Sequence, residues 1–316
     1  DSMQTLVDNH RVAGAVAIVI RKGKVVYFHA AGQRDIAGKL PMEKDTIMRF
    51  YSMTNPITTV AAMILVEEGK LQLEDDITKY IPEFKDLRVY AAIPGEQEKT
   101  VALKRPVTIR DLMRHTSGLT YGFLGNTWVD QQYRLAGVTT PTDTMQQSIS
   151  KLSRIPLLYQ PGQQFNYSVS TDVLGYIVKR VSGVSLAKFM QQRIFQPLNM
   201  VDTAFHVSVH SAHRFASMYS PQFLGGIALS ERAVTSPFLQ PPTQFSGGGG
   251  LLSTARDYSR FCQMLINLGK LNGTRILTAE SVREMTKNQL PEEAFPVRII
   301  LPQPGVGFGL GLSVVV

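Results

Sequence analysis

Strand-forming, β-branched segments occupy the two ends of this 316-residue chain, and helical patterns fill the stretch between them. Ala15-Val-Ala-Ile-Val-Ile-Arg-Lys-Gly-Lys-Val-Val-Tyr-Phe-His-Ala30 reads as two strands joined at Lys22-Gly23-Lys24, a hairpin. Gly309-Leu-Gly-Leu-Ser-Val-Val-Val316 reads as a further strand. Residues 3–10 suggest a short amphipathic helix. Helical patterns then dominate from about residue 52 to 290. One runs from Pro56 to Glu68 and stops at Gly69, another covers Ile109–His115 before the turn Ser117-Gly118, and a third covers Thr171–Val181 and closes at Ser182-Gly183. A fourth begins at Thr254, where Thr254-x-x-Asp257 has capping-box spacing. Strands at both ends with helices between them predict an α/β fold of the α+β type. It has an antiparallel sheet from both chain termini, flanked by helices, and a mostly helical inserted region. The expected boundaries are 1–75 and 245–316 for the sheet domain and 76–244 for the helical region.

Composition narrows the function classes. Hydrophobic residues make up 44% and charged residues 18%, the balance of a folded globular chain. The longest apolar run, Val12 to Ile20, stops at Arg21-Lys22 and is shorter than the roughly 18 residues of a membrane span. The single cysteine, Cys262, excludes a disulfide framework and a Cys-based zinc site within one chain, and reads as a small core residue. The net charge is +8, but no stretch clusters five basic residues and no nucleic-acid-binding motif accompanies them, so the reading is a mildly basic surface. His206, His210 and His213 include a His-x-x-His spacing, yet no carboxylate completes a ligand set, and a loop carrying histidines is the better reading. No cofactor and no metal are implied. The chain opens on Asp1 with no signal peptide ahead of it, and its apolar last strand is expected to continue past Val316.

The nucleophile candidate is Ser52, in Phe50-Tyr-Ser-Met-Thr-Asn-Pro56, where a helix should begin. A serine there is, on its own, an ordinary N-cap, and Pro56 is tolerated in a first turn that lacks N–H partners. The same geometry also suits a nucleophile, because unpaired N–H groups and the positive end of the helix dipole stabilise an alkoxide or oxyanion.

Six ordered blocks decide between these readings: Arg49-Phe-Tyr-Ser-Met-Thr54, Leu65-Val-Glu-Glu-Gly-Lys-Leu71, Leu112-Met-Arg-His-Thr-Ser-Gly-Leu119, Pro161-Gly-x-x-Phe-x-Tyr-Ser168, Leu174-Gly-Tyr-Ile-Val178 and Gly247-Gly-Gly-Gly-Leu-Leu-Ser-Thr254. Through them the chain resembles the serine β-lactamase-like family (class C β-lactamases and penicillin-recognising carboxypeptidases), and most closely the β-lactamase-like carboxylesterases. The resemblance implies an acyl-enzyme on Ser52, with Tyr167 as base in acylation or as acid toward the leaving group. The family's first motif is Ser-x-x-Lys, whose spacing puts both side chains on one helical face. Here Asn55 stands at the lysine position. An amide takes up no proton near neutral pH and carries no charge, so one base is lost and the positive charge that would favour a tyrosinate is lost with it.

The family's third motif, a Lys-Thr-Gly-type strand that supplies the second oxyanion N–H, is not found and is expected after the 307–316 strand. By the same resemblance Tyr121, Phe123 and Trp128 border the acyl pocket, although core packing under a loop explains them equally well. Gly249 and Gly250 belong to a glycine run, Gly247–Gly250, that permits close backbone approach. His115 is expected to satisfy backbone groups. The implied activity is hydrolysis of short-chain esters, with β-lactams or amides secondary, impaired by Asn55. The alternative is a catalytically silent ligand-binding or scaffold member of the fold. The implied partner is a small-molecule ester or β-lactam, not nucleic acid, and the implied setting is a soluble bacterial-type protein of the cytoplasm or periplasm.

Overall fold

In the computed structural model, which describes residues 2–91, 99–223, 225–299 and 301–316, the first strand pair closes where the sequence turns. β1 (Gly14–Arg21) and β2 (Lys24–Asp35) pair antiparallel from Arg21↔Lys24 to Gly14↔Gly32. Lys22 and Gly23 take φ of 51° and 74°, the left-handed pair that matches the twist of a two-residue hairpin. β3 (Leu40–Pro41) adds to β2, and β4 (Met48–Arg49) pairs with Leu252–Ser253.

The helices are α1 (Ser2–Asp8), α2 (Thr54–Glu67), α3 (Ile109–Met113), α4 (Trp128–Ala136), α5 (Met145–Leu152), α6 (Ser170–Ser182), α7 (Leu186–Met190), α8 (Ala255–Ile266) and α9 (Ala279–Thr286). Among the described residues none is long and apolar enough to cross a membrane. The fold is a mixture of helices and small antiparallel sheets.

Two compact units divide the chain. The first contains residues 1–51, 195–242 and 250–274, hence β1 to β4, α1 and α8. Its core includes Ile47, Val207, Phe215, Ala233 and Leu252. Over that core the Arg49 guanidinium lies 4.3 Å from the Phe215 ring centre, donates to the Ala216 carbonyl at 2.7 Å and pairs with Glu231. Stacking of this kind lets an arginine be buried with its charge matched. The second unit contains residues 52–194, 243–249 and 275–316, and within it α2 packs on α6. α2 suits that position because Ile57 and Val60 to Leu65 are all buried, leaving it apolar almost all round.

By this division α2 and residues 275–316 fall in the second unit. Among the described residues the strands of the two chain ends lie in separate ladders, and residues 309–312 fold the last segment onto itself. Gly309 N–H donates to the Leu312 carbonyl at 2.8 Å, Gly311 takes φ of 79°, and Val306–Phe308 pairs with Ser313–Val315. At α8, Thr254 caps as expected by accepting from the Asp257 N–H at 3.2 Å, but the reciprocal half of the box is not made. The Asp257 carboxylate accepts instead from the Asp202 N–H at 2.7 Å and the Thr203 hydroxyl at 3.1 Å.

Candidate active site

Ser52 is not the N-cap of α2. It sits in a short 3₁₀ turn, Tyr51–Met53, that precedes the helix, and Met53 is the cap residue, with no side-chain cap bond. Tyr51 adopts φ of 43°, left-handed backbone that a side chain makes costly. After this turn Ser52 is exposed and Asn55, three residues on, is buried at 4%.

Asn55 and Tyr167, 112 positions apart, meet in space. The Asn55 amide Nδ2 donates to the Tyr167 phenol oxygen at 2.6 Å. Ser52 also lowers the pKa of this phenol, while the hydrogen bond made to Tyr167 is the one from Asn55. Burial pushes the Tyr167 pKa above its ordinary value of 10.0; Ser52 and Asn55 pull it down and the Asp172 charge raises it. The balance holds the phenol protonated. Its oxygen accepts from Asn55, which leaves the phenol proton available to a further acceptor.

Tyr167 rests on His115, with ring centres 4.5 Å apart. His115 Nδ1 accepts from the Ser168 N–H at 3.3 Å and lies 3.4 Å from the Ser168 hydroxyl, which places the imidazole proton on Nε2. Full burial pushes the His115 pKa down to about 3. The Ser168 hydroxyl continues to Ser170 at 2.7 Å and from there to Ser117 at 2.7 Å, a buried chain of hydroxyls that locks the floor under Tyr167.

That floor has a pH dependence. Unfolding exposes His115, which then takes up a proton near the ordinary histidine value of 6.5, while the folded form stays neutral down to about 3. Stability is therefore lost as pH falls through this window, by about 2 kcal/mol between pH 6.5 and 5 at ~1.36 kcal/mol per unit. Urea unfolding across that range should show the decline in the native chain and a flatter slope in His115→Gln. Equal slopes would remove His115 as its source.

The remaining predicted residues divide. Tyr121 lies against Tyr167, with ring centres 5.7 Å apart, and Phe123 stacks on Tyr121 at 5.0 Å. Trp128 begins α4 and stacks at 5.7 Å on Tyr90; among the described residues it has no ring contact with Tyr121 or Tyr167. Gly249 donates its N–H to Ser246 Oγ at 3.1 Å, and Gly250, the next residue, falls in the other unit. Among the described residues no group of three or more His, Cys, Asp or Glu side chains is placed to hold a metal ion.

Sequence reasoning missed Asp172, in the first turn of α6. Its Oδ1 accepts from the Ser246 hydroxyl at 2.5 Å and from the Gly248 N–H at 3.0 Å, and Thr58 of α2 donates to the Gly247 carbonyl at 2.7 Å. The glycine run is thus held beside Tyr121 and Tyr167 by two helices. An acidic residue in a first helical turn usually reads as a complement to the helix dipole, so its sequence position carried no distinct signal.

Residues 1–314 match the sequence model described as Beta-lactamase. The chain belongs to the Beta-lactamase family. Protein Rv1367c of Mycobacterium tuberculosis is 38% identical over 317 residues, covering 99% of this chain and 78% of that protein. Esterase EstB of Burkholderia gladioli is 32% identical over 268 residues, 79% of this chain and 64% of that enzyme. Among solved structures, EstCE1, described as a hydrolase with promiscuous acyltransferase activity, superposes with a TM-score of 0.81 at 27% identity, over 99% of this chain and 81% of that one. Membership of the Beta-lactamase family and the esterase and acyltransferase relatives support a serine-hydrolase type of function.

Proposed function

We propose that this member of the Beta-lactamase family is a serine esterase that forms an acyl-enzyme on Ser52, acts on short-chain esters with β-lactams secondary, and turns over slowly because Asn55 replaces the motif lysine. The observation that carries the reading is the Asn55–Tyr167 bond at 2.6 Å beside the Ser52 hydroxyl. The bond supports a shared site for the three motif positions, with an amide where the motif has an ammonium. Ser52 Oγ attacks the ester carbonyl, its proton has to leave to a base, and the alcohol leaves with a proton. A protonated Tyr167 suits the second proton transfer and not the first.

The pH profile tests this. Only the phenolate accepts the serine proton, and with its pKa raised above 10.0 the phenolate is a fraction of ~10⁻³ or less at pH 7. Acylation by p-nitrophenyl acetate, corrected with Ser52→Ala, is expected to climb about tenfold per pH unit and to keep climbing past pH 10. Intact-mass spectrometry should find the acetyl group on Ser52. A flat profile from pH 7 to 10 would take Tyr167 out of the base role. Absence of any Ser52 adduct would favour the other reading, a silent ligand-binding member, which Asn55 motivates.

A further inference from the structure

Beside Tyr167 lies a carboxylate only half of which is used. Asp172 Oδ1 takes both bonds from the glycine run, while among the described residues Asp172 Oδ2 has no hydrogen-bond partner and the side chain has no Lys, Arg or His in ion-pair range. Asp172 remains partly accessible. The Tyr121 hydroxyl likewise has no partner among the described residues. A Cβ placed on Gly248 would stand 2.7 Å from Asp172 Oδ2 and 2.8 Å from the Tyr121 hydroxyl, so the two oxygens lie within the sum of those distances of each other. Gly248 brings no side chain against either oxygen, and both approach its backbone closely.

We propose that Asp172 and Tyr121 form a cation-recognising corner of this site, selecting acyl donors that carry a primary ammonium group a few bonds from the ester carbonyl. An ammonium brings three donors, and the corner offers two acceptor oxygens, one of them charged. The carboxylate is short of water, and a partly desolvated charge without a counter-ion is costly until one arrives. Burial accordingly holds the Asp172 pKa above its ordinary value, with Ser246 and Gly248 opposing, and a bound cation would lower it. The acyl step is the one already described: Ser52 Oγ forms the new ester bond, the alcohol departs with the proton, and the ammonium stays on the acyl group without reacting.

The inference rests on Ser52 acylation, so its test separates the two. The p-nitrophenyl esters of β-alanine and of butyric acid have acyl chains of matching length, one ending in an ammonium and one in a methyl group. Ser52 acylation by each is followed at pH 7 and divided by its buffer hydrolysis rate. The native chain is expected to favour the β-alanyl ester by about tenfold or more, the scale of one charge-assisted hydrogen bond. Asp172→Asn keeps an acceptor oxygen for Ser246 and Gly248 but loses the charge, and should bring the ratio close to one. Gly248→Ala puts a Cβ 2.7 Å from Asp172 Oδ2 and 2.8 Å from the Tyr121 hydroxyl, so it displaces the acceptors and should lower the ratio as well. Acylation by the butyryl ester with no β-alanyl preference in the native chain would overturn the cation corner and leave Ser52 standing. Acylation by neither ester would overturn both.

Discussion

Asn55→Lys is expected to raise p-nitrophenyl acetate turnover at pH 7.5 by about 10²–10⁴-fold, the usual contribution of one acid–base group. Asn55 is buried at 4%, on the first turn of α2, with its amide 2.6 Å from the Tyr167 oxygen. A lysine there brings its ammonium to the same phenol and the same serine. It supplies a base and lowers the Tyr167 pKa, so the alkaline limb of the profile should also move to lower pH. The longer side chain has to find room among buried neighbours, at about 1–3 kcal/mol of stability. Thermal unfolding therefore has to accompany the assay, and Asn55→Lys with Ser52→Ala provides the blank. A folded variant with native-like rates would mean that the amide is not what limits this site.

The largest loss of stability is expected at Asp111. This carboxylate is fully buried and accepts from Arg105 at 2.5 and 2.9 Å, Arg114 at 3.0 Å, the Thr116 hydroxyl at 2.8 Å and the Thr108 N–H at 3.1 Å. Burial alone would raise its pKa; the Arg105 and Thr108 bonds outweigh that and hold it below 3.8. Its contribution is thus present above the ordinary carboxylate range and is lost as pH falls through the lowered value. Asp111→Ala strands Arg105 and Arg114 and removes the carboxylate half of the Thr108 capping box, at a cost of about 3–5 kcal/mol. Urea denaturation at pH 7 measures it, and a loss under about 1 kcal/mol would show that water replaces the carboxylate at little cost.

Local signals were the legible ones. Lys22-Gly23 closed a hairpin, and α2 and α6 stopped before Gly69 and Gly183, because each depends on a few adjacent dihedrals. The nearness of Asn55 and Tyr167 came from family resemblance; neither residue's own neighbourhood contains it. What stayed illegible depended on which partner a segment or side chain meets in the folded chain. The last strand segment turned back on itself, a choice between a local partner and a remote one that apolar pattern does not make. Trp128 went to Tyr90 because an aromatic in a loop-rich stretch has no preferred ring partner until the chain is folded. Asp172 gained its place from a glycine run some 75 positions away.

On the proposed function, the left-handed turn at Tyr51 bears on how activity would be lost. A side chain held at φ of 43° costs roughly 1–3 kcal/mol, which the folded surroundings supply. That conformation belongs to the main chain, one peptide ahead of Ser52. The exposure of Ser52 thus follows from main-chain geometry, and on the proposed reading a chain that loses its proton-handling groups can still hold out its serine.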